Sequence, residues 1–215
     1  MKRLALALCL ACVPFVALAA GSAEPTRTVE GDIALADANS LEIKVPVGDL
    51  HITGTGGDRV KAHLEIHCKA PSDTSCQQAA AKISLDSRNR GGELLLQVAG
   101  FPKLGDHGVS VVLKVEVPRA VRLDTNVGVG DTECAGMVGD LELGAGVGDV
   151  SITADKSKVH VVELDSGVGD VVLLVDGGRV EGSGLVGKGL DWSQGKGAAK
   201  VEVDTGVGDI TVKLD

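Results

Sequence analysis

Aspartate recurs in one setting along the second half of the chain. The copies are Gly128-Val129-Gly130-Asp131, Gly146-Val147-Gly148-Asp149, Gly167-Val168-Gly169-Asp170 and Gly206-Val207-Gly208-Asp209. If the flanking strands stack, these four carboxylates line one corner about 5 Å apart, the spacing of neighbouring strands. Stacked carboxylates are oxygen ligands of the kind Ca²⁺ takes. Residues 128–136, 137–145 and 146–154 also form three nonapeptides, as in calcium-binding β-rolls. Those rolls need Gly-Gly-x-Gly-x-Asp, whereas here Asp follows the second glycine directly. Lys188, in the degenerate copy Leu185-Val186-Gly187-Lys188, would set a cation between Asp170 and Asp209. Turn chemistry is therefore the preferred reading. Gly130, Gly148, Gly169 and Gly208 supply positive φ, and each Asp folds back onto the backbone. The valine between the glycines is expected to point inward and plug the corner. A Ca²⁺-binding β-roll-like module, with Asp131, Asp149, Asp170 and Asp209 as ligands, is the alternative.

Other chemistry-bearing residues carry less. His63, Glu65, His67 and Cys68 suggest a metal site. On a strand, however, His63 and His67 sit about 13 Å apart and Cys68 faces the other way, so one ion cannot take them all. A solvated strand face is the better reading. His51, His107 and His160 have no evident partners. Gly182-Ser183-Gly184 lacks the strand–turn–helix context of a hydrolase nucleophile, and Lys188-Gly189 follows no phosphate-loop pattern. No catalytic residue and no cofactor are expected.

The elements that hold these residues read as β. Val121, Leu123 and Thr125 alternate with Arg122 and Asp124, and Val201 and Val203 with Glu202 and Asp204. Ile210, Val212 and Leu214 alternate with Thr211, Lys213 and Asp215. Short strands with one apolar face, punctuated by glycine, are the pattern of a half-buried sheet. The repeated aspartates lie 18, 21 and 39 residues apart, with Met137-Val138-Gly139-Asp140 at a half-period. A hairpin meander would give similar spacing, but nothing in it requires every second turn to repeat the same residues. A parallel β-solenoid of roughly 20-residue rungs returns to the same corner each time and is preferred.

The repeated V-x-V-x-T-G-V-G-D-I-x-V of Val201 to Val212 resembles the bacterial putative-adhesin domains, β-solenoid envelope proteins. Val45-Pro46-Val47-Gly48-Asp49-Leu50 is similar to their opening motif, with Gly48 and Asp49 as its turn, and Val117-Pro118 to the strand before their rungs. The resemblance covers roughly residues 40–215. It implies a fold and a cell-surface context, and no catalytic or binding residues.

The organisation expected is a signal peptide over residues 1–19, a lead segment over 20–38 and a single solenoid domain over 39–215. Residues 67–108 would form a cap or insertion with one short helix, and 121–215 the regular rungs. Lys2 and Arg3, the apolar run to Leu18 and the small residues Ala17 and Ala19 are the marks of a cleaved secretory signal. Leu10-Ala11-Cys12 loosely resembles a lipidation box, the lesser alternative. After cleavage no membrane span is expected. Export permits a Cys68–Cys76 disulfide, leaving Cys134 as a free, buried thiol.

Cleavage leaves 19 basic against 30 acidic side chains, −11 in all, which disfavours nucleic acid as a partner. No tyrosine is present and only Phe101 and Trp192 remain as aromatics, against a deep ligand pocket. Trp192 either shields a sheet face or anchors a partner. The function expected is non-enzymatic: surface binding or adhesion through a solenoid face, in the periplasm or outside the cell. The alternative is a structural or regulatory envelope accessory that meets a membrane partner. The partner would be an envelope protein or a surface glycan, and the final strand Ile210–Leu214 offers an edge for a homodimer.

Overall fold

The computed structural model describes residues 25–70, 72–102, 108–184 and 187–215. The expected signal peptide, His107 and Leu185-Val186 lie outside the described residues. The period-two alternation forms strands throughout. The first half of the chain gives β1 (Arg27–Ala34), β2 (Ser40–Val47), β3 (Asp49–Thr55), β4 (Arg59–Cys68), α1 (Thr74–Ala80), β5 (Ser84–Arg90), β6 (Glu93–Ala99) and β7 (Val109–Pro118). The repeats give β8 (Arg122–Val129), β9 (Thr132–Ala135), β10 (Leu141–Val147), β11 (Val150–Ala154), β12 (Val159–Val168) and β13 (Val171–Val175). After them come β14 (Gly178–Glu181), β15 (Lys188–Trp192), β16 (Ala199–Val207) and β17 (Ile210–Leu214).

The fold is all-β, built of two large mixed sheets. One has nine strands in the order β1-β4-β7-β3-β9-β11-β17-β13-β14, the other eight in the order β15-β12-β16-β10-β8-β2-β6-β5. Five units cross from the eight-stranded sheet to the nine-stranded sheet through a Gly-Asp corner: β2–β3, β8–β9, β10–β11, β12–β13 and β16–β17. Neighbouring units pair in parallel, and their inward residues form one continuous core. Leu41, Leu123, Leu141, Val201 and Val162 stack from one wall, Leu50, Val150, Ile210 and Val171 from the other. Alternation in the sequence thus becomes a two-walled apolar interior.

The units do not stack in chain order. The last unit, β16–β17, lies between β10–β11 and β12–β13, so the structure departs from a progressive solenoid at that point. β17 is hydrogen-bonded on both sides, to β11 and to β13. The open final edge expected at Ile210–Leu214 is therefore corrected: it is an interior strand. The actual edges are β1, β5, β14 and β15. β5 and β14 expose most of their residues and carry Arg88, Arg90, Arg179 and Glu181, the charged edges that discourage strand addition.

The described part of the expected lead segment supplies β1, paired antiparallel with β4. Between residues 67 and 108, Asp73 caps α1 by accepting the N–H of Ser75 and Cys76. β5 and β6 then continue the eight-stranded sheet beyond β2, while β7 joins β3 in the other. Cys68 and Cys76 are joined by a disulfide. Cys134 is buried and free, and burial pushes its thiol up to about 12. Trp192 is 8% exposed and belongs to the core, so it shields a sheet face and the partner-anchor alternative is overturned.

Candidate functional site: the aspartate corner and the outer sheet faces

The five corners stack in the order of their units, placing Asp49, Asp131, Asp149, Asp209 and Asp170 along one edge of the molecule. Each carboxylate accepts the backbone N–H of the next aspartate. Asp49 takes that of Asp131 at 3.1 Å and Asp131 that of Asp149 at 2.9 Å; Asp149 takes that of Asp209, and Asp209 that of Asp170, both at 2.7 Å. At the end of the column no further unit follows, and the Lys188 ammonium donates to Asp170 instead. That ion pair holds the Asp170 carboxyl below, and the Lys188 amine above, its ordinary value. Lys188 was expected between Asp170 and Asp209. It caps the column because β15 runs antiparallel along the outer edge of β12, while β16–β17 occupies the interior position.

Close approach of the backbones explains the second glycine of each copy. Gly130, Gly148, Gly169 and Gly208 have φ of 144–154°, and a Cβ on any of them would lie 2.0–2.1 Å from the carbonyl oxygen of the glycine in the neighbouring unit. Gly48 is limited by Val111 instead, at 2.2 Å. Pro46 stands where the later copies have their first glycine, at the end of the column. The Cβ of Gly128 would meet the Pro46 carbonyl at 2.3 Å. Behind the corner, Ser166 donates to the Gly208 carbonyl and Thr205 to that of Gly148.

The valines do not plug the corner. Val47, Val129, Val147, Val207 and Val168 pair in register and are 43–62% exposed, forming an apolar line along the edge. The period-two alternation breaks at the corner: Val45, Val127, Ala145, Thr205 and Ser166 face the core, yet the valine two places beyond each of them is exposed.

At the opposite side of the stack, Asp140 accepts the N–H of Lys200 at 2.9 Å. The half-period motif thus repeats the same clamp. Among the described residues, no set of three or more His, Cys, Asp or Glu side chains converges as a metal-ligand group.

The outer face of the nine-stranded sheet carries the row Glu30, His63, Lys114, His51 and Glu133 across five adjacent strands. His63 Nδ1 lies 2.5 Å from Glu30 and His51 Nδ1 2.9 Å from Glu133. Glu65 receives Lys114 at 2.6 Å, with His63 at 3.2 Å and His67 at 3.6 Å. The Lys114 hydrogen bond holds its carboxyl below the ordinary value. His63 and His67 thus share a carboxylate, and Cys68 is committed to its disulfide. The row borders an open groove of about 510 Å³ lined by Glu30, His51, Thr53, Lys61, His63 and Lys114, among others.

The outer face of the eight-stranded sheet carries a row that sequence reasoning missed: Glu42, Asp124, Glu142, Glu202, Glu163 and Asp191 on six adjacent strands. Its only signal is the acid at the polar position of each strand, as in Leu141-Glu142-Leu143 and Val201-Glu202-Val203. Lys200 bridges Glu163 and Glu202 at 2.7 and 2.8 Å. Burial, then Glu142 and Glu42, raise the Asp124 carboxyl. Burial, then Asp165 and Glu202, raise that of Asp204.

Fold and corner define an all-β protein of two mixed sheets whose repeated motif is consumed in joining one sheet to the other. The chain belongs to the family described as the N-terminal domain of toast_rack, DUF2154, whose model matches residues 20–174. Its fold is similar to that of a putative cell adhesion protein from Clostridium sporogenes. The TM-score is 0.55 at 14% identity, over 89% of this chain and all of that one. A putative adhesin from Bacteroides fragilis matches at 14% identity over 86% of this chain and 97% of that one, with a TM-score of 0.24. No curated protein matches in sequence. The putative-adhesin resemblance is borne out.

Proposed function

We propose that this is a non-enzymatic, exported protein that binds a polar surface partner, a glycan or an envelope protein, through the outer face of its nine-stranded sheet. The observation that carries the reading is where the repeated carboxylates go. Asp49, Asp131, Asp149 and Asp209 each accept a backbone N–H, and Asp170 pairs with Lys188. The repeat therefore builds a scaffold and leaves the sheet faces to meet the environment. The groove beside His51, Thr53, Lys61, His63 and Lys114 presents donors and acceptors on neighbouring strands, suited to a ligand rich in hydroxyl and carboxylate groups. Five parallel units sharing one corner support a solenoid-like scaffold. The names of the structural relatives and the signal-like residues 1–19 support an exported or surface location. Among the described residues no helix is long and apolar enough to cross a membrane.

The exposed valine line favours a second reading, a structural or regulatory accessory docked on an envelope protein. Binding of the purified protein to intact cells and to a glycan array separates the two. Binding that is lost in Lys114→Ala supports the sheet-face reading. Retention of an envelope partner that Val147→Asp abolishes, with no glycan bound, would replace it.

A further inference from the structure

The last unit occupies a position that its place in the chain does not give it. Residues 155–158 connect β11 directly to β12, yet β16 separates β10 from β12 in one sheet and β17 separates β11 from β13 in the other. A slot one unit wide therefore lies between residues 141–154 and 159–175. The C-terminal unit fills it with parallel pairing on all four flanks. Val201, Val203, Ile210, Val212 and Leu214 enter the core there, each no more than 4% exposed.

The connection into the slot is glycine-bearing and crosses the start of β12 at close range. Residues 193–198 run from the outer edge strand β15, on one side of β12, to β16 on the other. Gly197 donates to the Val159 carbonyl at 3.2 Å and Ala198 to that of Lys158 at 2.9 Å. A Cβ on Gly197 would lie 1.9 Å from the Lys158 carbonyl, and one on Gly195 2.0 Å from that of Val159. Released from this crossing and extended, the six residues reach about 20 Å at roughly 3.3 Å each.

We propose that β16–β17 is an exchangeable donor unit, residues 199–214 of one copy completing the slot of a second copy in a reciprocally exchanged dimer. The slot of another copy is chemically identical. A donated unit therefore recovers every parallel pairing and every buried side chain, and only the crossing at residues 193–198 changes. An exchange that preserves all contacts but those of its hinge is the low-cost route to a dimer. A mutation that forbids the crossing is expected to favour it. The surface involved is the interior of the stack rather than any outer face, so the proposal is independent of the sheet-face reading.

The test uses full-length chains in a Cys134→Ala background. One carries Val168→Cys and a second, differently tagged, carries Val207→Cys, residues that face each other across β12 and β16. The two are denatured without reductant, refolded together with oxidised glutathione, and sized by light scattering. A chain bearing both substitutions reports the link within one copy. Exchange predicts a mixed disulfide dimer after concentrated refolding and a several-fold rise in dimer fraction when Gly197→Val is added to both chains. A monomeric mass at every concentration, without the mixed disulfide, overturns the proposal. So does Gly197→Val folding as a monomer with the link made inside one chain. If Gly197→Val does not fold, the chains with the native linker decide alone.

Discussion

The carboxylate of Asp149 accepts a 2.7 Å hydrogen bond from the backbone N–H of Asp209, sixty residues further along the chain. This bond ties the last unit to the third, and it is one of four that run through Asp49, Asp131, Asp149, Asp209 and Asp170. The repeated motif thus does two things at once. Its second glycine lets neighbouring backbones approach, and its aspartate pairs the N–H that the turn leaves outside the sheet ladder.

The glycine requirement can be checked without touching the aspartates. Gly148→Ala places a Cβ 2.0 Å from the Gly130 carbonyl at a φ of 144°. It should cost more than about 3 kcal/mol or abolish folding. Gly56→Ala meets nothing within 4 Å and should stay within about 0.5 kcal/mol of the parent. Denaturant unfolding of the two variants measures both, and equal stabilities would contradict the close-stacking account.

Among the described residues, two core hydroxyls have no hydrogen-bond partner, those of Thr125 and Thr132. Thr132 stands in a row with Leu50 and Val150. Thr132→Val keeps the shape and removes a buried polar group, so thermal unfolding should show a gain of about 1 kcal/mol. A loss would show that the hydroxyl is satisfied in solution.

Burial and like charge raise the carboxyls of Asp124 and Asp204. Between its ordinary value and its raised folded value, such a group binds more protons folded than unfolded. Stability therefore falls as pH rises through that window, and the penalty persists above it. Asp204→Asn should stabilise the protein at neutral pH by a few tenths of a kcal/mol. The advantage should shrink as pH falls toward the ordinary carboxylate value. A variant less stable than the parent at pH 7 would show that the carboxylate is favourably paired.

Much of the architecture was legible because it rests on local rules. Alternation marked the strands, and Gly-Asp marked the corners. The one short helix expected between residues 67 and 108 is α1. The order of the units was not legible, and the reason is the repeat itself. Units with the same turn and the same alternation can pair with one another in the same register, so the sequence around Val201 does not say whether β16 stacks on β12, on β10 or on both. Lys188 was misplaced for the same reason. The valines were misread because the alternation of the preceding strand carries an apolar residue at that place inward, whereas the alternation breaks off at the corner and the valine faces out. The acidic row was invisible because its members lie up to 160 positions apart and meet only through sheet order.

The most direct test of the central claim, that the aspartate column is a structural clamp, is the thermal stability of Asp149→Ala and Asp149→Asn with and without Ca²⁺. Alanine removes the acceptor for the Asp209 N–H, whereas asparagine keeps an oxygen in its place. The account predicts that Asp149→Ala loses about 1 kcal/mol, that Asp149→Asn loses much less, and that Ca²⁺ changes none of the three proteins. A rise in the parent's stability with Ca²⁺, abolished equally by both substitutions, would contradict it.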